Sequence, residues 1–279
     1  MINFNGIIVS HDSNLLIQNR AFLFGDAVFE TVKIIDSRIL FLEDHYFRLM
    51  SSMRVVRMEI PMDFTMEYLG EQILDLAKAR NLANSSRVRI TVYRNEGGYY
   101  LPQNNTVSFL INAEPLESTL YSINQKEYKV DLYTDFYVAK QLLSSIKTTN
   151  KILNITASIF ANENELDNCL LLNDSKNVVE ALQGNIFMLK GNTLFTPPVS
   201  EGCLNGVMRK QILALARKME NLEVVEQIIS PFDLQKADEL FITNVIKGIQ
   251  PITKYRKKEF ITDLAKILVK NLNEFIRSN

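Results

Sequence analysis

Apolar and polar positions along the chain follow two rhythms, one of period two and one near 3.6, and the changes between them mark the elements. Ile2-Asn3-Phe4 and Ile7-Ile8-Val9 read as two short strands around an Asn5-Gly6 turn. Residues 22–35, rich in β-branched and aromatic side chains, read as one or two strands. Residues 42–58 set Tyr46, Leu49, Met50 and Met53 at helical spacing, and residues 66–79 do so with Leu69, Ile73, Leu76 and Ala77. Residues 88–94 alternate as a strand, Asn95-Glu96-Gly97-Gly98 breaks it, and residues 107–112 make another. Residues 114–125 are polar, contain Pro115 and show no clear period, which marks a linker.

The second half alternates more regularly. Residues 150–162 predict a helix whose buried face is Ile152, Ile155, Ile159 and Phe160. Short strands follow at 169–172, 178–179, 186–189 and 193–195, then a helix at 206–219 carried by Met208, Ile212, Leu215 and Ala216. Strands at 224–229 and 240–243 precede a terminal helix at 260–276, and the basic run at 254–258 reads as a solvated turn. Short mixed strands with few helices predict an α+β fold rather than a doubly wound parallel sheet. We divide it into a smaller α+β domain at 1–115, a linker at 116–125 and a larger α+β domain at 126–279.

Composition narrows the chemistry. The 279 residues suit about two domains, and 47% hydrophobic with 23% charged residues is the make-up of a globular chain with a sizeable core. A net charge of −1 argues against nucleic acid as partner, and no apolar run reaches membrane-spanning length. Residues 1–14 carry no basic segment followed by an apolar one; with two cysteines and nine methionines, the cytoplasm is the expected compartment. Two histidines, His11 and His45, and two cysteines, Cys169 and Cys203, leave no metal cluster and few bases for a catalytic triad. An enzyme of this composition needs another source of chemistry.

Four features offer one. Lys147, in Ile146-Lys147-Thr148-Thr149-Asn150, lies just before a helix, where a lysine is ordinarily solvated but can serve as a carbonyl nucleophile. Glu180 ends one short strand and Asn185-Ile186-Phe187 begins the next, so the glutamate is either a turn residue or a partner for a ring nitrogen. Asn205-Gly206-Val207-Met208-Arg209 heads a helix, open either to capping by Asn205 or to a phosphate on free N–H groups. Arg48, after Phe24-Gly25-Asp26-Ala27-Val28-Phe29-Glu30, either packs its stem along the surface or grips a phosphate.

In this order and spacing the segments resemble the class IV pyridoxal-phosphate enzymes. These share fold type IV, the D-amino-acid aminotransferase-like fold of branched-chain aminotransferases, D-amino-acid aminotransferases and aminodeoxychorismate lyases. The resemblance spans Asn5 to about Ile252. It implies pyridoxal 5'-phosphate as cofactor, held as a Schiff base by Lys147. It further implies Glu180 at the pyridine nitrogen and Arg48, Gly206, Val207, Met208, Asn244 and Val245 around the phosphate. Phe24, Phe29, Thr31 and Lys33 fall where the family's substrate pocket lies, and Arg94 and Tyr99 belong to a loop beside it. The freed lysine amine is then the general base, so no histidine is required. An amine or amino-acid-like substrate and a homodimer are implied as well.

Within the family the sequence leans toward aminodeoxychorismate lyase, which makes 4-aminobenzoate and pyruvate for folate synthesis. Lys147-Thr148-Thr149-Asn150-Lys151-Ile152 resembles the lyase's Lys-x-x-Asn-basic-aliphatic run, and Gly206-Val207-Met208-Arg209 its Gly-Ile-Met-Arg. Arg94-Asn95-Glu96-Gly97-Gly98 resembles its Arg-x-x-Gly-Gly loop, although Tyr99 stands where some lyases place a carboxylate-binding arginine. Arg94, Arg89 and Lys33 are the cations left for that role. A branched-chain or D-amino-acid aminotransferase is the alternative, and a non-catalytic binding protein on the same fold the remote one.

Overall fold

The computed structural model describes residues 1–10, 18–124 and 126–278; His11 and Gln125, the end of the expected linker, lie outside them. The chain packs into two compact units: Met1–Leu120 with Ile146–Asn150, and Tyr121–Ser145 with Lys151–Asn279. The segment that carries Lys147 therefore packs with the first unit.

The first unit runs β1 (Ile2–Phe4), β2 (Ile7–Val9), α1 (Arg20–Phe24), β3 (Ala27–Ile35), β4 (Arg38–Ile39), α2 (Leu42–Val55), α3 (Met66–Ala79), β5 (Ser85–Arg94) and β6 (Val107–Pro115). Its antiparallel sheet has the order β2-β1-β6-β5-β3-β4. One face of that sheet, with Val28, Val32, Ile34, Val88, Ile90 and Val92, buries against Leu49 and Met53 of α2 and Ile73 and Leu76 of α3. The expected strand over 22–35 begins only at Ala27, because α1 precedes it. Asn19 accepts from the Ala21 and Phe22 N–H groups to start that helix, and Gly25, at φ 65°, ends it. A Cβ on Gly25 would lie 2.3 Å from Asn150 Oδ1, so a side chain is excluded twice over.

The second unit runs β7 (Lys129–Val138), α4 (Ile152–Glu163), β8 (Asn168–Asn173), β9 (Val178–Ala181), β10 (Gly184–Lys190), β11 (Thr193–Thr196), α5 (Val207–Ala216), β12 (Glu223–Glu226), α6 (Pro231–Leu234), β13 (Glu239–Asn244), β14 (Gly248–Ile252), β15 (Lys254–Tyr255), β16 (Lys258–Glu259) and α7 (Asp263–Ser278). The sheet order is β12-β11-β10-β9-β8-β7-β15-β16, with β13 paired to β10 and β14. β7 with β8, β11 with β12 and β7 with β15 are parallel, and the other pairs are antiparallel. The buried carboxylate of Glu239, the first residue of β13, accepts from the Leu264 and Ala265 N–H groups at 2.7 and 3.1 Å and so holds the start of α7.

Two expectations change here. Helix α4 forms, but Ile152, Ile155 and Ile159 are 72%, 54% and 53% exposed, and its covered side is Ala157 and Ala161 with Leu153 and Phe160. Small residues face β7 and β8 because they let the helix approach the sheet, and the larger isoleucines point away. The basic run at 254–258 is a hairpin, not a solvated turn: Lys254–Tyr255 pairs with β7, and Tyr255 is fully buried.

Candidate active site

In the first unit, residues 147–149 extend the sheet beside β3. Phe29 N–H donates to the Lys147 carbonyl at 2.8 Å, Thr148 bridges Val28, and Thr149 N–H reaches Ala27 O at 3.0 Å. Thr149 Oγ1 donates to Gly25 O at 3.1 Å and Asn150 Nδ2 to the same oxygen at 3.4 Å. Lys147 is thus fixed by main-chain bonds, and its amine lies 4.5 Å from the centre of the Phe29 ring.

Strand alternation sorts the neighbouring residues. Phe29, Thr31 and Lys33 lie on the face of β3 away from the core, directly opposite Thr91, Arg89 and Arg87 of β5. The Arg89 guanidinium stacks 3.7 Å from the centre of the same Phe29 ring. Its Nε donates to Thr91 Oγ1 at 3.2 Å, and no carboxylate pairs with it among the described residues. Burial, and then the neighbouring Arg87 charge, lower its pKa. Arg87 itself pairs with Glu114 at 2.9 Å, and Lys33 is buried.

The opposite face of β3 holds a cluster that the sequence did not reveal. Glu30, buried between Val28 and Val32, accepts from His45 Nδ1 at 2.7 Å and from Arg48 Nε and Nη2 at 2.7 and 2.6 Å. Burial alone would raise the carboxyl, but the Arg48 charge and the bonds from His45 and Arg48 prevail and hold it at about 2. Burial, helped by the Arg48 and Lys147 charges, lowers the His45 pKa against the pull of Glu30, so His45 is neutral at pH 7. A carboxylate only accepts, so Nδ1 carries the proton; Nε2 is buried with no partner among the described residues. Arg48 is therefore neither a surface arginine nor a lone cation: the bidentate contact with Glu30 sets its plane. The buried acid in the run Val28-Phe29-Glu30-Thr31-Val32 was the signal that would have found this cluster.

The Arg94–Gly98 loop is held from within the fold. Arg94 is buried and donates to Asp26, Val56 O, Arg57 O and Asn105. Arg20, also buried, donates through Nη1 to the carbonyls of Gly97, Gly98 and Tyr99. Arg94 thus has a fixed structural role and is not a side chain offered to a pocket. Tyr99 is 85% exposed, and the Phe24 ring meets Tyr100 at 5.9 Å.

In the second unit, Glu180 pairs with Asn185 across β9 and β10 and accepts the Leu204 N–H at 2.9 Å. Asn185 Nδ2 donates to Leu204 O at 2.8 Å, so one peptide segment is gripped on both sides just before α5. Helix α5 starts from Gly206 as its N-cap, a residue with no side chain of its own to cap the helix, and no acid stands in its first turn. A Cβ on Gly206 would sit 2.0 Å from Asn185 Oδ1. Helix α5 packs against β13, where Thr243 stands opposite Asn185 and its buried Oγ1 has no partner among the described residues. In the following turn Asn244 Oδ1 accepts from the Ile246 and Lys247 N–H groups at 3.0 and 2.8 Å.

These residues fit pyridoxal phosphate. The uncapped N-terminus of α5 and the orphaned Thr243 hydroxyl suit a phosphate, and the oriented Glu180 carboxylate suits a protonated ring nitrogen. Taken by itself, Lys147 in the first unit is a lysine on a fixed backbone, the kind of group that forms a Schiff base with an aldehyde. Among the described residues no metal-holding cluster occurs, and no helix is long and apolar enough to cross a membrane.

Comparison with known proteins agrees. The amino-transferase class IV family model matches residues 27–255. A Methanocaldococcus jannaschii protein provisionally named branched-chain-amino-acid aminotransferase is 30% identical over 261 residues, 90% of this chain and 86% of its own. A D-alanine aminotransferase of Listeria monocytogenes is 27% identical, over 89% of this chain and 85% of its own. Among solved structures, the Thermoproteus uzoniensis branched-chain aminotransferase with norvaline superposes with a TM-score of 0.87 at 21% identity, covering 99% of this chain and 93% of that one. A Legionella pneumophila protein provisionally named 4-amino-4-deoxychorismate lyase gives 0.83 at 23%, covering 95% and 96%. At these identities the two structures speak for the fold.

Proposed function

This chain belongs to the amino-transferase class IV family of pyridoxal-phosphate enzymes, and from that premise we propose that it is an aminotransferase for an amino acid with a free α-carboxylate. One observation points to a carboxylate-bearing substrate, and the names of the relatives turn it toward amino transfer: Arg89, stacked on Phe29 as Lys147 is, has no carboxylate partner of its own among the described residues. Desolvation and the Arg87 charge both disfavour an unpaired guanidinium there, and an incoming carboxylate relieves both. The cofactor, when bound, supplies the electron sink for the carbanion at the substrate α-carbon. Lys147 Nζ takes and returns the proton there, Arg89 fixes the carboxylate, and Phe29 gives both cations a common apolar support. In the same reading Glu180 would face the ring nitrogen, and Gly206, Val207, Met208, Asn244, Val245 and Arg48 would be the residues for the phosphate.

The curated relatives support amino transfer, being named for branched-chain amino acids and for D-alanine. Of the lyase-like signals, Arg94 and Asn150 hold the fold and serve either reaction. The lyase remains the second reading, favoured by Gly206-Val207-Met208-Arg209. Purified protein with leucine or D-alanine and 2-oxoglutarate is expected to yield the oxo acid of the donor and glutamate. Formation of 4-aminobenzoate from aminodeoxychorismate without amino transfer would replace this reading by the lyase.

The same reading makes the enzyme a homodimer, the second copy covering the exposed isoleucines of α4. Light scattering on Ile155→Glu is expected to show a monomer where the parent protein shows twice the chain mass. A parent protein of single-chain mass would sink the dimer.

A further inference from the structure

The first residue of the second unit is built into the turn after β13. Tyr121 is buried, and its hydroxyl donates to the Val245 carbonyl at 2.6 Å. Asn273 of α7 holds the same residue by its main chain: Tyr121 N–H donates to Asn273 Oδ1 at 3.0 Å, and Asn273 Nδ2 donates to Tyr121 O at 2.8 Å. The ring closes the other side of the turn. Gly248 has φ 73°, and a Cβ there would lie 2.7 Å from Tyr121 Cγ and Cδ1, so only glycine lets the ring and the turn meet.

The peptide between Val245 and Ile246 is consequently gripped at both ends, by Tyr121 at its oxygen and by Asn244 Oδ1 at its N–H. Of the N–H groups of residues 245–247, two go to Asn244 and that of Val245 has no acceptor among the described residues. This N–H lies two residues after Thr243, whose buried hydroxyl is also without a partner among the described residues. Two donors close together in the chain, both lacking an acceptor inside the unit, fit an anion.

We propose that Tyr121 is a positioning residue for the cofactor phosphate, acting through the Val245 carbonyl to hold the Val245 N–H and Thr243 in place. The inference rests on the pyridoxal-phosphate reading and on neither choice of substrate. It predicts a phosphate-specific effect, since a fixed N–H is lost to the phosphate while the pyridine ring keeps its own contacts. Tyr121→Phe retains the ring against Gly248 and removes one buried hydrogen bond, for which about a tenfold loss is expected.

The test is an absorbance titration of full-length protein, freed of cofactor, with pyridoxal 5'-phosphate and separately with pyridoxal. For Tyr121→Phe the affinity for the phosphate ester is expected to fall about tenfold and that for pyridoxal to change less than twofold. Asn273→Asp, which removes the donor to Tyr121 O, is expected to give the same selectivity with a smaller loss, and serves if the first variant does not fold. Equal losses for both ligands, or no loss for either, would overturn the proposal. Parent protein that binds the two ligands equally would instead overturn the phosphate reading of the turn itself.

Discussion

The Glu30 cluster and the end of β13 deal with buried polarity in opposite ways. Around Glu30, one carboxylate receives three donors from His45 and Arg48 at 2.6–2.7 Å, and the charge is settled inside the first unit. Around Thr243, its hydroxyl and the Val245 N–H have no acceptor among the described residues, and α5 starts from a glycine. A folded chain leaves few buried donors unpaired. The first arrangement settles its carboxylate within the chain, and in the proposed reading the second would be completed by a ligand. In the proposed reading, fixed geometry would suit the unit that carries Lys147, and a receptive one the cofactor's anion.

If Lys147 is a moving amine on a fixed support, its loss removes the chemistry and leaves the support. Lys147→Ala is expected to lower amino transfer by roughly a thousandfold or more. Its melting temperature should stay near that of the parent, because the bonds to Phe29 and Ala27 come from the main chain. A variant that kept its activity, measured as glutamate formed, would end the assignment of this lysine.

The Glu30 cluster is the structural counterpart. Glu30→Gln breaks a buried pair and leaves Arg48 uncompensated, for a loss of about 3 kcal/mol in urea unfolding. A loss below about 1 kcal/mol would show that the cluster is not the fixed half of the contrast.

Acid should act on the same cluster. The folded pKa of His45 lies below its ordinary value, so the unfolded chain binds the proton first as pH falls. Stability that is fully present above about pH 6.5 is therefore lost on going to pH 5, by at most about 1.4 kcal/mol per pH unit. Glu30 is depressed to about 2, so its contribution persists to about pH 4.5 and is lost as pH falls further toward 2. His45→Gln, whose amide donates to Glu30 without titrating, should flatten the curve between pH 7 and 5. An unchanged slope would place the titrating group elsewhere.

How much of this was legible along the chain follows from range. Helix α3 was read at its true ends because its period is local, and β5 and β6 were read because alternation is local. Helix α1 was missed since five residues give no period, and its signals are only Asn19 and Gly25. Helix α4 was located but turned the wrong way: periodicity finds the apolar face of a helix, not what covers it. Lys147, Glu180 and the start of α5 stand out as candidates because their segments, a few residues each, together resemble those of a family. Glu30 needs partners 15 and 18 residues away, and Tyr121 one 124 away, distances that only the fold closes.

The smallest expected effect opposes the others in sign. Thr243→Val replaces the orphaned hydroxyl by a methyl group of the same shape. Burying an unpartnered hydroxyl costs about 1–3 kcal/mol, so the variant without cofactor should be more stable than the parent by about 1 kcal/mol. With pyridoxal phosphate bound the order should reverse, because the parent then gains an acceptor for the hydroxyl and the variant does not. Melting temperatures with and without cofactor measure both signs in one experiment. Glu30→Gln offers no such reversal, since its donors are already satisfied within the chain. If Thr243→Val instead destabilised the protein with and without cofactor by the same amount, the hydroxyl would be serving the fold. The end of β13 would then be a second fixed region like the one around Glu30.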